Sequence, residues 1–251
     1  MATSDKVLDT EVLARLLDAG VSPGGYAPRQ LRSPPVNTAG LPGLLAYDLP
    51  ALQGTNTRGM VLPKKSPGEP DRMYLSPDET EDTTVAHEAE HLLAGRGLGH
   101  PADINKQFDT LVGNSKARGN FVRSAIDAAP YLQEKYGLKN AYFSPKMYQF
   151  QGSLAPNLLF EQLASLASVE ATQGVDLTKD PVLRKTLFKD RNVRETYNAM
   201  TGLRQTRLDA KDIAPYTRLP EKEPNMVEKV KSLLGFAKGG TVPNAGNTKL
   251  I

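Results

Sequence analysis

Between residues 76 and 97 the chain reads "SPDETEDTTVAHEAEHLLAGRG", and its apolar positions return every three to four residues. At about 100° per residue, Val85, Ala89, Leu92 and Leu93 fall on one side of a helix, while Thr80, Thr84, His87 and His91 fall on the other. Ser76 and Glu79 stand at capping-box spacing with Pro77 at the first helical position, which predicts a start there. Asp78, Glu79, Glu81 and Asp82 suit the positive end of the helix dipole, so the acidic run needs no separate function. Gly95 and Gly97 are the expected stop.

The same reading places an amphipathic helix at 4–19, with Leu8, Val12, Leu16 and Leu17 as its stripe, followed by a Pro/Gly-dense loop to 43. "GLLAYDL" (43–49) reads as a strand. "TRGMVLP" (57–63) and "DRMYLS" (71–76) read as an antiparallel hairpin joined by "KKSPGEP". Helices are expected at 103–112, 119–136 and 154–172. A basic segment follows at 180–211, then an amphipathic helix at 225–237 and a tail rich in Gly, Asn and Thr. The predicted fold class is α+β and mostly helical, with a small antiparallel sheet before the central helix and helices after it. The divisions expected are 1–42 (helix and loop), 43–175 (main domain), 176–237 (helical region) and 238–251 (flexible tail).

Composition narrows the chemistry. A net charge of +3 over 251 residues is too small to argue for nucleic acid by itself, and the basic segment, interrupted by acidic residues, reads as a solvated helical face, so no nucleic-acid partner is expected. There is no cysteine, so a metal would have to be held by His, Asp or Glu. The opening "MATSDKVLDT" lacks the basic start and apolar run of a signal peptide, and no stretch reaches the roughly 18 apolar residues of a membrane span. A cytoplasmic chain with no membrane partner is expected.

Candidate chemistry gathers on the predicted central helix. His87 and His91, four apart, share a face and can grip one ion, and Glu88, about 100° round, can reach a water held by it. This is the content of H-E-x-x-H: two ligands and a general base. Two positions can supply a third ligand. Glu161, in "LLFEQLASLASVEA", lies with Ser165 and Ser168 on a narrow polar stripe of an otherwise apolar helix, where a carboxylate without a cation would be costly. The alternative is His100, nine residues after His91. Glu170, near the end of the same helix, reads as a salt-bridge or fraying position.

These residues resemble the zincin metallopeptidases. A hairpin before the motif and a Glu on a later buried helix resemble the gluzincin arrangement, in which the third ligand is a glutamate and an upstream strand edge holds an extended peptide. The resemblance implies a zincin-like core, Zn2+ bound by His87, His91 and Glu161, Glu88 as catalytic base, and a peptide or protein substrate paired along the strand at 71–76. The thermolysin-type N-E-x-x-S-D pattern is absent. The segments "ETYNAMTGLRQTRLDAKDIAPYT" and "FAKGGTVPNAGNTKLI" resemble proteins of tailed bacteriophages. That implies packaging in a virion, with docking to the larger assembly through the C-terminal helix and tail. The alternative function is a virion or assembly protein whose H-E-x-x-H site is a structural metal clip or an inactive relic.

Overall fold

The computed structural model describes residues 32, 44–55, 57–62, 68–98, 101–146 and 155–217. The expected helices at 4–19 and 225–237, the loop at 20–43 save Arg32, the tail and His100 lie outside the described residues.

Three short strands precede the helices: β1 (Leu44–Asp48), β2 (Gly59–Leu62) and β3 (Asp71–Leu75). The strand order is β1-β3-β2. The expected hairpin is present, with β2 antiparallel to β3 and Val61 opposite Met73. β1 runs parallel to β3 and pairs Ala46 with Met73, so the sheet is mixed, not purely antiparallel. This also corrects the role expected of 71–76: β3 is the middle strand, its backbone already paired on both sides. Strand alternation divides the side chains. Leu44, Ala46, Met73 and Leu75 face the helices, while Tyr74 and Met60 join Leu49 and Leu52 in a smaller cluster on the other face.

The motif helix, α1 (Asp82–Leu98), begins later than the capping pattern predicts. The Ser76 hydroxyl donates to Asp78 Oδ1 at 2.5 Å, and the Glu79 amide donates to the Ser76 carbonyl at 2.9 Å, closing a turn. The buried Arg32 guanidinium also donates to the Ser76 and Glu79 carbonyls and braces this turn. Glu79 Oε1 accepts from the Glu81 amide, 2.7 Å away, one residue before the helix starts. At the other end, α1 continues through Gly95 and Gly97 to Leu98.

Four helices follow: α2 (Pro101–Val112), α3 (Ser115–Asp127), α4 (Ala129–Tyr136) and α5 (Ala155–Gln173). The single helix expected at 119–136 is two, parted at Ala128 just before Pro130, and α4 ends on left-handed Gly137 (φ 70°). α5 is the central element. Leu158, Leu159, Leu163, Leu166 and Val169 enter the larger core, and Ala167 and Ala171 enter the core shared with α1 and the sheet. Fully burying each leucine contributes about 1.5–3 kcal/mol.

The basic segment forms α6 (Pro181–Lys185), α7 (Arg191–Met200), α8 (Gly202–Thr206) and α9 (Ala210–Thr217). Arg184, Lys185, Lys189 and Arg191 are exposed, while Val193, Thr196, Tyr197 and Met200 are buried. Residues 177–217 supply Leu177, Leu183, Phe188 and Tyr197 to one core, and Leu203, Ile213 and Tyr216 to the other. They therefore share the interior of the segment that precedes them. No helix among the described residues is long and apolar enough to cross a membrane.

Candidate metal centre

α1 and α5 pack face to face and present His87, His91 and Glu161 to one another. His87 Nε2 lies 3.0 Å from Glu161 Oε2 and 3.0 Å from His91 Nε2, and His91 Nε2 lies 3.4 Å from the same carboxylate oxygen. A tetrahedral ion with metal–ligand bonds of about 2.0–2.1 Å holds neighbouring donor atoms about 3.3 Å apart. The three atoms thus have the spacing of three corners of one coordination sphere. Among the described residues, these are the three that could hold a metal ion. Their side chains are 13%, 10% and 18% exposed, so the site is largely shielded from solvent.

The histidines turn away from the apolar stripe of α1, as the sequence predicts, and α5 covers them. The stripe is deeper than expected, because Val85, Ala86 and Ala89 are all fully buried. Glu161 lies on the polar stripe of α5, but that stripe does not face water: Ser165 and Ser168 are buried. The serines are the small residues that let α1 approach. Glu170 is the salt-bridge position, 2.9 Å from Arg204 and also bonded by the Leu177 amide and the Tyr197 hydroxyl.

Charge is distributed as a cation site requires. Burial alone would raise the Glu161 carboxyl, but the charges and hydrogen bonds of His91 and His87 hold it well below the usual carboxylate range. Burial works against a charged His87, yet its hydrogen bond and attraction to Glu161 raise its affinity for a proton. Burial raises the Glu88 carboxyl, with the two histidines opposing part of that shift.

Glu88 is buried against β2. A Cβ at Gly59 would lie 2.9 Å from Glu88 Cγ and 3.1 Å from Oε1, so only glycine lets this strand come so close to the carboxylate. Among the described residues β2 is an edge of the sheet, and it is the edge beside Glu88.

Several contributors are not apparent in the sequence. Glu90, between the two histidines, is buried and accepts from the backbone amides of Gly202 (2.8 Å) and Leu203 (2.7 Å), tying α8 to the motif helix. Burial pushes its carboxyl up to about 8, against the pull of those two amides and His87. His91 packs against Phe160, with ring centroids 4.1 Å apart. Tyr142 lies in a short 3-10 turn (Ala141–Phe143) that Gln162 holds to α5 by donating to the Tyr142 carbonyl at 3.0 Å. Burial, and then the negative charges of Glu161 and Glu88, push the Tyr142 phenol far above its usual range. Glu90 and Tyr142 carry no sequence signal, since a buried Glu in an acidic helix and a Tyr in a loop are both ordinary. Ser165 had one: it stands one turn after Glu161 on the same face.

No protein-family model, curated protein or solved structure matches the chain.

Proposed function

We propose that the protein is a zinc-dependent peptidase of zincin type. The observation that carries this reading is the convergence of His87 Nε2, His91 Nε2 and Glu161 Oε2 within 3.0–3.4 Å of one another, with Glu88 on the same helix beside a sheet edge. The donor set is two imidazoles and one carboxylate without a thiolate, which suits zinc and is typical of catalytic sites that keep a fourth position open. A zinc ion bound there would supply Lewis-acid polarisation of a carbonyl and lower the pKa of a water to about 7.

The chain's own groups do the rest. Glu88 takes the proton of the attacking water and returns it to the leaving amine as the peptide bond breaks. Burial brings its carboxyl closer to neutrality, the direction that suits a group working in both senses. The edge of β2 beside Glu88 pairs with the backbone of an extended peptide, a role given to β2 here in place of β3. Packaging in a virion, with the C-terminal segment as the docking element, is the setting proposed for this activity.

The test is metal analysis of purified protein beside hydrolysis of a quenched peptide library by wild type and Glu88→Gln. The expected result is one zinc per chain in both proteins and cleavage by wild type alone. Zinc at full stoichiometry with no cleavage by either protein would favour the structural-clip reading. Absence of stoichiometric zinc from wild type would sink the metal centre.

A further inference from the structure

We infer that Asn140 and Ser165 form a neutral pair that positions His87, holding its ring proton on Nδ1 and turning the Nε2 lone pair toward the other two donors. The inference rests on the metal-centre reading above.

A proton inventory leads to it. Asn140 Oδ1 accepts from the Tyr142 backbone amide at 3.0 Å. A backbone N–H can only donate, so this contact fixes which end of the Asn140 amide is oxygen. The Nδ2 end then donates to Ser165 Oγ at 2.7 Å. Ser165 has one proton to give, and its Oγ lies 2.8 Å from the Glu161 carbonyl oxygen, which can only accept. That contact takes the hydroxyl proton. The remaining lone pair of Ser165 faces His87 Nδ1 at 3.2 Å, and the contact is a hydrogen bond only when Nδ1 carries the proton. A neutral imidazole protonated at Nδ1 has its lone pair on Nε2, the atom 3.0 Å from both His91 Nε2 and Glu161 Oε2. Ser165 is 1% exposed, so water does not compete for any of its three hydrogen bonds.

The partner is neutral where a histidine ligand often has a carboxylate. Glu161 and Glu88 already bring two carboxyl groups to the site, and a third beside them would repel both. The two histidines are also held differently. His91 Nδ1 is buried and has no hydrogen-bond partner among the described residues, and its ring is fixed by packing on Phe160. Ordering by hydrogen bonds therefore falls on His87. Because Asn140 also caps the turn that carries Tyr142, the same amide ties that turn to the His87 ring.

The chain has three histidines, so proton–nitrogen correlation spectra of protein labelled with 15N-histidine resolve each ring. With Zn2+ as the probe and a competing chelator, Ser165→Ala should bind zinc about 10- to 100-fold more weakly than wild type. In the zinc-loaded wild type the His87 Nδ1 proton should be visible and slow to exchange with water. In the variant it should exchange freely, and the unfolding midpoint should fall, because the Asn140 amide and His87 Nδ1 lose a buried acceptor. Asn140→Ala, at a part-exposed turn position, should show a smaller loss of the same sign, and it carries the test should S165A fail to fold. Wild-type zinc affinity together with an unchanged Nδ1 signal in these variants would overturn this inference and leave the metal centre standing. Failure of wild type itself to take zinc would remove both.

Discussion

Gly202→Ala puts the packing behind the motif helix to a severe test. A Cβ at Gly202 would lie 2.7 Å from Leu93 Cβ, 2.8 Å from the Ala94 amide nitrogen and 2.9 Å from the Leu93 carbonyl carbon. Carbon atoms in contact sit about 3.5–4.0 Å apart, so α8 must retreat from α1 by roughly 1 Å. No side chain can swing aside, because two of the obstructing atoms are backbone. The retreat stretches the bonds from the Gly202 and Leu203 amides to Glu90, now 2.8 and 2.7 Å, to the outer limit of hydrogen bonding or beyond it. Each buried group left unpaired costs about 1–3 kcal/mol, which puts the loss for the two amides and their acceptor at about 3–9 kcal/mol. A domain has about 5–15 kcal/mol in all, so the variant should unfold at markedly lower urea. Glu90→Gln should cost about 1–3 kcal/mol, since the new amide can accept from only one of the two donors. The double variant should cost clearly less than the sum, because both changes break the same bonds. Urea unfolding followed by circular dichroism measures all three. A G202A protein within about 1 kcal/mol of wild type, or additivity with E90Q, would refute the claim that α8 is latched to α1 through Glu90.

Two further outcomes are expected. Gly59→Ala places a methyl carbon 2.9 Å from Glu88 Cγ, so zinc content should hold while kcat/KM for peptide cleavage falls about 10²-fold through misplacement of the base; unchanged cleavage would refute the claim that the close approach of β2 fixes the Glu88 carboxylate. Burial raises the Glu170 carboxyl to about 7, Arg204 opposing, so between about pH 4.5 and about pH 7 the folded chain holds a proton that the unfolded chain has released. That contribution is complete below about pH 4.5 and is lost as pH rises through about 7, up to about 3 kcal/mol, despite the facing Arg204, Tyr197 and Leu177 amide. Urea midpoints at about pH 5 and about pH 7.5 should therefore differ less in Glu170→Gln than in wild type.

What could be read from the sequence follows how local each feature is. The α1 stripe of Val85, Ala89 and Leu92, and the apolar α5 with Glu161 on its polar side, were legible because 3.6-residue periodicity is written in consecutive residues. The hairpin of β2 and β3 was legible because two short apolar runs flank a turn-rich link in consecutive residues. β1 was legible as a strand, but its parallel pairing with β3 was not, since that depends on a crossover between segments far apart in the chain. The start of α1 was misread because the two groups of the capping pattern are used otherwise: the Ser76 hydroxyl donates to Asp78 and the Glu79 carboxylate accepts from the Glu81 amide, in a turn braced by Arg32 from 44 residues away in the chain. The metal donors were legible as residue types, but the meeting of Glu161 with His87 is a contact across 74 positions that spacing alone leaves open. Asn140, Tyr142 and Gly202 meet the site only through tertiary packing, so nothing in their own surroundings marks them.

Zinc K-edge X-ray absorption of the zinc-loaded protein tests the central claim most directly. The account predicts a four-coordinate ion with two imidazole nitrogens at about 2.0–2.1 Å, one carboxylate oxygen at about 2.0–2.2 Å, and a fourth light atom from water. In Glu161→Ala the carboxylate contribution should vanish, with the two imidazoles retained. A third imidazole in place of the carboxylate, or a spectrum unchanged by that substitution, would contradict it.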